Sequence, residues 1–292
     1  MPIKESELIL NPDGSIYHIN LKPEQLADTV IVVGDPNRVE RVAQHFDNIE
    51  FKVNKREFYS QTGTFKGKRI TVISTGIGTD NIDIVINELD ALANIDFKTR
   101  TVKEEVKSLD IIRIGTSGSL QEHIPVDSFV ISEFGLGFDS LMYFYQSENI
   151  LFPEISQHLM THLNWDKNKS KPYIVECHRE LFTRLSSNKT FDGFTATNVG
   201  FYGPQGRVLR LPLQDASFND KLATFDYNGL VITNMEMETA AIYGMARLLG
   251  HRAVSLNAII ANRATGEFTE NPRQVINNLI EYTLNQIVNE DN

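Results

Sequence analysis

Short β-branched runs alternate with amphipathic stretches through the first half of the chain. "DTVIVVGDPNRVERVAQHF" has an apolar run from Thr29 to Val33, a turn from Gly34 to Pro36, then Val39, Val42, Ala43 and Phe46 at helical spacing. The pattern predicts a strand, a turn and a helix that lays one apolar face back on the strand. "RITVISTGIGTDNIDIVINELDAL" repeats the plan with a strand, the loop "STGIG" and an amphipathic helix, and "DIIRIGTSGSL" predicts a third strand ending in "GTSG". Three strands that each run into a glycine-containing loop predict an α/β sheet with its ligand at the carboxyl edge.

"DFKTRTVKEEVKSLD" is polar and charge-dense, so it reads as an exposed excursion, an edge feature or a partner contact. "PVDSFVISEFGLGF" predicts another strand. Between Leu151 and Ser187 the pattern gives helices through "PEISQHLMTHL" and "CHRELFTRLSS", with a turn at "DKNKSKP". Later, "NMEMETAAIYGMARLLG" carries an apolar stripe of Met237, Ala240, Ala241, Gly244, Met245, Leu248 and Leu249, and "AVSLNAIIA" follows as a buried strand. Asn271 and Pro272 open a last amphipathic helix. With no repeat, low-complexity segment or linker, one domain spanning residues 1–292 is expected.

Composition narrows the class. The apolar content of 41% supports a sizeable core, while runs such as "TVIVV" fall far short of the roughly 20 residues that span a bilayer. The acidic start "MPIKESELIL" lacks a secretory apolar region, and the single Cys177 excludes an internal disulfide framework, so a cytoplasmic protein is expected. Adjacent Cys177 and His178 would point in opposite directions on an extended segment, which argues against a thiol site. A net charge of -10 argues against nucleic acid, so any anion must be held by a few placed arginines and amides.

Three segments carry candidate chemistry. In "GDPNR", Gly34 and Arg38 can offer amides and a guanidinium to an anion, although Gly-Asp-Pro by itself is simply a good turn. Arg113 stands inside the apolar strand "IRIGTSG" and needs an anionic partner, either a ligand near Thr116 or an internal acid such as Asp110 or Glu133. Glu236 and Glu238 in "NMEMET" suit the mouth of a helix, where acids are ordinary dipole partners, yet a carboxylate there also accepts from a vicinal diol. Because residues two apart do not share a helical face, the two acids are expected to have different tasks. No cluster has metal-ligand spacing, and no Gly-x-Ser-x-Gly elbow is present.

Taken in order, "VGDPNR", "KREF", "STGIG", "IRIGTSG", "FYGPQGR" and "EMET" resemble the nucleoside phosphorylases of the trimeric and hexameric class, specifically the uridine phosphorylases. The resemblance runs from about His18 to the last helix. It implies an α/β, three-layer fold with a mixed central sheet flanked by helices, and reversible phosphorolysis of uridine at a site shared across a homo-oligomer's dimer interface. Carried over, phosphate falls to Gly34, Arg38, Arg113 and Thr116, with Arg56 of "KREF" reaching in from a neighbour. Glu236, Met237 and Glu238 would hold the ribose, with His18 approaching its 5′-hydroxyl from the partner. Phe201, Gln205, Arg207 and Arg263 would contact the base, and Arg113, Glu238 and Arg207 would carry catalysis. Inorganic phosphate would be co-substrate, with no metal cofactor.

Two departures stand out. "TDN" replaces the family's "GPS"-like run after "STGIG", which counts against the monovalent-cation site that some members build at the dimer interface. The family's "PGQ" is "GPQ" here, so the loop shape can differ while Gln205 and Arg207 remain. A purine phosphorylase, a nucleosidase of the same superfamily and a non-catalytic nucleoside-binding protein stay as alternatives. Purine enzymes place a proton-donating aspartate after the last core strand, where this chain has Asn262 and Arg263.

Overall fold

The computed structural model describes residues 2–289. The chain passes through β1 (Thr29–Val33), α1 (Pro36–Ala43), β2 (Asn48–Lys55), β3 (Phe58–Phe65), β4 (Lys68–Ser74) and α2 (Thr79–Asn94). A hairpin of β5 (Ile95–Asp96) and β6 (Thr101–Val102) precedes β7 (Asp110–Ser119) and β8 (Phe129–Gly137). Next come α3 (Pro153–Leu163), β9 (Tyr173–Glu176), α4 (Arg179–Leu185), β10 (Thr190–Thr197) and α5 (Phe218–Ala223). A second hairpin, β11 (Asp226–Tyr227) and β12 (Leu230–Val231), leads to β13 (Asn234–Glu236), α6 (Thr239–Leu248), β14 (Arg252–Asn262) and α7 (Pro272–Val288).

Ten strands form one mixed sheet in the order β13-β10-β8-β14-β7-β1-β4-β3-β2, with β9 on β8. β1 is buried at every position because it pairs in parallel with β4 on one side and β7 on the other. β13 pairs with β10 and also, antiparallel, with β7, so the sheet curls back on itself at the end that carries Glu236. Helices flank the sheet: α2 packs on α6, which covers β8, β14 and β10, while α7 lies on β14 and β7 with α4 and α1 against it. Local signals set the helix ends. The Asp35 side chain accepts from Asn37 N ahead of Pro36, Asn271 does the same for Gln274 N ahead of Pro272, and Gly250 with φ +77° follows α6.

Several expectations change. "GTSG" is not a loop: β7 runs through it to Ser119, because β14 supplies a parallel partner and β13 an antiparallel one beyond Arg113. Met237 does not join the helical stripe, since Asn234–Glu236 is a strand and α6 starts at Thr239. Phe46 lies past the end of α1 and packs beside the core from the following turn. Strands β3, β9 and β10 carry no clean period-two signal and emerge only from pairing across the sheet, whereas β2 alternates Ile49, Phe51 and Val53 with polar residues, a signal the sequence reading passed over. The charged excursion turns back as the β5–β6 hairpin, tied to the N-terminal segment by Arg100, whose Nε donates to Ile3 O at 2.8 Å.

Candidate active site

The floor of the site is the face that β7 and β14 share. Arg113 and Gly115 stand two apart on β7, opposite Ser255 and Asn257 on β14, so period-two alternation turns all four to one side. The Arg113 side chain lies back over Gly115: a Cβ there would be 1.9 Å from Nη1. Arg113 Nη1 donates to Asn257 Oδ1 at 2.7 Å, and Nη2 donates to Glu238 Oε2 at 2.6 Å and stands 2.9 Å from Glu236 Oε2. The internal acids weighed from sequence are engaged elsewhere, Asp110 with Arg184 and Arg252 and Glu133 with Arg179. Burial opposes the charge of Arg113, and the two carboxylates overcome it and raise the pKa.

Glu236 and Glu238 therefore converge on one guanidinium, because Glu236 ends a strand and Glu238 is the residue before α6. Glu236 is occupied further. Its Oε1 accepts from Thr197 Oγ1 at 2.7 Å, and its Oε2 accepts from Glu238 N at 2.9 Å and Thr239 N at 3.0 Å. This ties the helix N-terminus to β10. Glu238 is less committed, with Oε1 accepting from Gly78 N at 2.8 Å and from no other group among the described residues. Burial, with Glu236 nearby, lifts the Glu238 carboxyl above its ordinary range.

Arg38 reaches the same region from α1. Nη1 donates to Ile114 O at 3.0 Å, and the buried Nε has no hydrogen-bond partner among the described residues. Burial, then the charge of Arg113, pushes its pKa down to about 10. Gly34 and Thr116, both half-buried, lie at the ends of β1 and along β7.

The segment 198–207 forms a wall. Gln205 is buried in a short 3-10 turn, and Gly206 takes φ +70° with Asn219 packed on it, so a side chain there would be both strained and crowded. Arg207 Nη1 donates to Phe201 O and to Gln205 Oε1, each at 2.7 Å, and its guanidinium stacks 3.7 Å from the Phe201 ring centre. Arg263 Nη2 donates to Gln205 O at 3.2 Å, which brings this wall to the end of β7. A cavity of about 1240 Å³ opens beside it, with Gly78, Asp139, Asn198, Tyr202, Arg207 and Met237 in its lining. Neither Phe201, which is exposed, nor the buried Gln205 is part of that lining.

Two expected residues stand apart. Arg56 is exposed at the β2–β3 turn with φ +57°, and His18 Nδ1 is 2.7 Å from Glu88 Oε1. Tyr17 joins them, its ring 4.7 Å from that of His18 and 5.9 Å from Arg56 Cζ, and neither His18 nor Arg56 lines the cavity. Asn262 is fully used in the fold: Nδ2 donates to Gln121 O and Ile124 O, and Oδ1 accepts from Ala264 N and Thr265 N. The buried thiol of Cys177 is pushed up to about 12, which removes it as a nucleophile. Among the described residues no group of three or more His, Cys, Asp or Glu could hold a metal ion, and no helix is long and apolar enough to cross a membrane.

Sequence reasoning missed Asn257, Ser255, Asn198 and Asp139. A signal existed for the first two: Ser255 and Asn257 are polar at period two inside "AVSLNAIIA", which is what a buried site on one sheet face requires.

The chain belongs to the phosphorylase superfamily, whose family model matches residues 28–287. It is 30% identical to the uridine phosphorylase of Thermococcus kodakarensis, across 88% of this chain and 80% of that one. It is 27% identical to a DeoD-type purine nucleoside phosphorylase of Oceanobacillus iheyensis, across 93% and 98%. Its fold superposes with a TM-score of 0.86 on a Trypanosoma brucei nucleoside phosphorylase that shows uridine phosphorylase activity, at 28% identity over 97% of this chain and 100% of that one.

Proposed function

We propose that the protein is a uridine phosphorylase, converting uridine and inorganic phosphate reversibly to uracil and ribose 1-phosphate. The observation that carries the reading is Arg38, a buried guanidinium close to Arg113; the Nε of Arg38 has no partner among the described residues. A buried unpaired donor on a cation costs several kcal/mol unless an anion completes it. Phosphate held by Gly34, Arg38, Arg113 and Thr116 would meet that need and lie beneath C1′ as nucleophile. Glu238 would hold the ribose diol with Met237 beside it, while Glu236, whose oxygens are already engaged, would keep Glu238 and Arg113 in place.

A phosphate oxygen forms the bond to C1′ as the C1′–N1 bond breaks, and its electron pair leaves with the pyrimidine. Arg207, with Gln205 behind it, would donate to the pyrimidine oxygens as they gain charge, an interaction strongest in the transition state. Arg263 supports that wall through Gln205. The saturated amide of Asn262 offers no proton to a purine leaving group, which favours pyrimidine over purine nucleosides. The half-buried His18 and the exposed Arg56, joined through Tyr17 outside the cavity, fit a site completed by a second copy of the chain.

A substrate panel tests the reading. In saturating phosphate, uridine should give the ultraviolet change of cleavage and the rate should vanish without phosphate. Inosine cleaved in preference to uridine would overturn the pyrimidine assignment, and phosphate-independent cleavage would overturn phosphorolysis.

A further inference from the structure

Asn257 is fully buried in the middle of β14, 144 positions along the chain from the arginine it contacts. Its Oδ1 accepts from Arg113 Nη1 at 2.7 Å, while its Nδ2 is 3.4 Å from Ser255 Oγ, itself held at 2.9 Å by Thr239 Oγ1. The amide orientation follows from this pairing, since reversing it would turn its NH₂ toward a guanidinium. Ser255 N in turn donates to the buried Tyr243 hydroxyl, so the mount of Asn257 extends into the core rather than ending at the site.

The neutrality of this acceptor matters. On the described chain, Arg38 and Arg113 are balanced by Glu236 and Glu238, the two carboxylates on Nη2. A third carboxylate on Nη1 would leave the pocket negative and oppose a phosphate dianion. An aliphatic side chain would leave Nη1 with only the long contact to Ser255 Oγ at 3.4 Å among the described residues, above Gly115, which has no Cβ to support the guanidinium. We infer that Asn257 is a positioning residue that sets phosphate affinity by pinning Arg113 with a neutral acceptor. The inference rests on the phosphorolysis reading above.

Its test compares Asn257→Asp and Asn257→Leu with the wild-type protein. Phosphate KM, uridine KM and kcat are measured, with phosphate binding followed by calorimetry without nucleoside. A folding check by near-ultraviolet circular dichroism accompanies each variant. Phosphate KM should rise about fivefold in Asn257→Leu and more than about thirtyfold in Asn257→Asp, with uridine KM within about twofold of wild type. The order is diagnostic, because a purely structural role would make the isosteric aspartate the milder change. Equal phosphate KM in all three proteins, or a larger effect of leucine than of aspartate, overturns the inference. A wild-type protein that neither binds nor consumes phosphate overturns the underlying reading instead. If the leucine variant does not fold, the aspartate variant alone decides, through its phosphate KM and calorimetric affinity.

Discussion

At the residue scale, Arg207 is a tightly packed side chain to which the proposed function assigns base recognition. It is stacked on Phe201 and bonded to Gln205, and burial, then the charge of Arg263, pushes its pKa down to about 10. It lines the cavity together with Asn198 and Tyr202, and it is the cationic donor that segment 198–207 places there. Arg207→Ala is expected to lower kcat/KM for uridine by about 2–4 kcal/mol, because a polar base edge is left unpaired in the transition state. Near-native uridine kinetics in that variant would exclude the proposed base contact.

The element scale is governed by how closely α6 approaches the sheet. A Cβ on Gly135 in β8 would stand 2.8 Å from Ala240 Cα and 3.1 Å from Ala240 N, which are helix backbone and have no rotamer to yield. Gly135→Ala should therefore destabilise the fold by about 1–3 kcal/mol and push α6 away, moving Glu238 with it. A urea titration checks this, and an unchanged midpoint with unchanged activity would show that α6 is not seated as described. The reason lies in packing rather than in dihedral freedom, since Gly135 is not among the glycines with positive φ.

For the whole molecule, the open question is the second copy. If His18 and Arg56 complete a neighbour's site, Arg56→Ala and Glu238→Gln should each be nearly inactive alone. Co-expressed with separate tags, they should recover about a quarter of wild-type activity. Random pairing makes half the dimers mixed, and each mixed dimer has one intact site. Absence of recovery in purified mixed dimers would place Arg56 outside the site.

Elements with strong local signals were legible in the sequence: the continuous apolar run Thr29–Val33, because a parallel strand covered on both faces is apolar throughout, and the amphipathic helix after "STGIG", because burial of one face imposes its period. So was the need of Arg113 for an anionic partner, since a buried cation must be neutralised wherever it sits. Its partners were not legible. Glu238 and Asn257 lie 125 and 144 positions away, and only the β7–β14 register and the curl of β13 back onto β7 bring them to one guanidinium. The same holds for "NVGFYGPQGR". Its residues fix a tight turn, but whether Arg207 packs or faces a cavity depends on Asn219, Arg263 and the end of β7, which the turn meets only in the folded chain. Local sequence determined the elements because their physics is short-range, while the site, assembled from distant segments, was decided by tertiary structure.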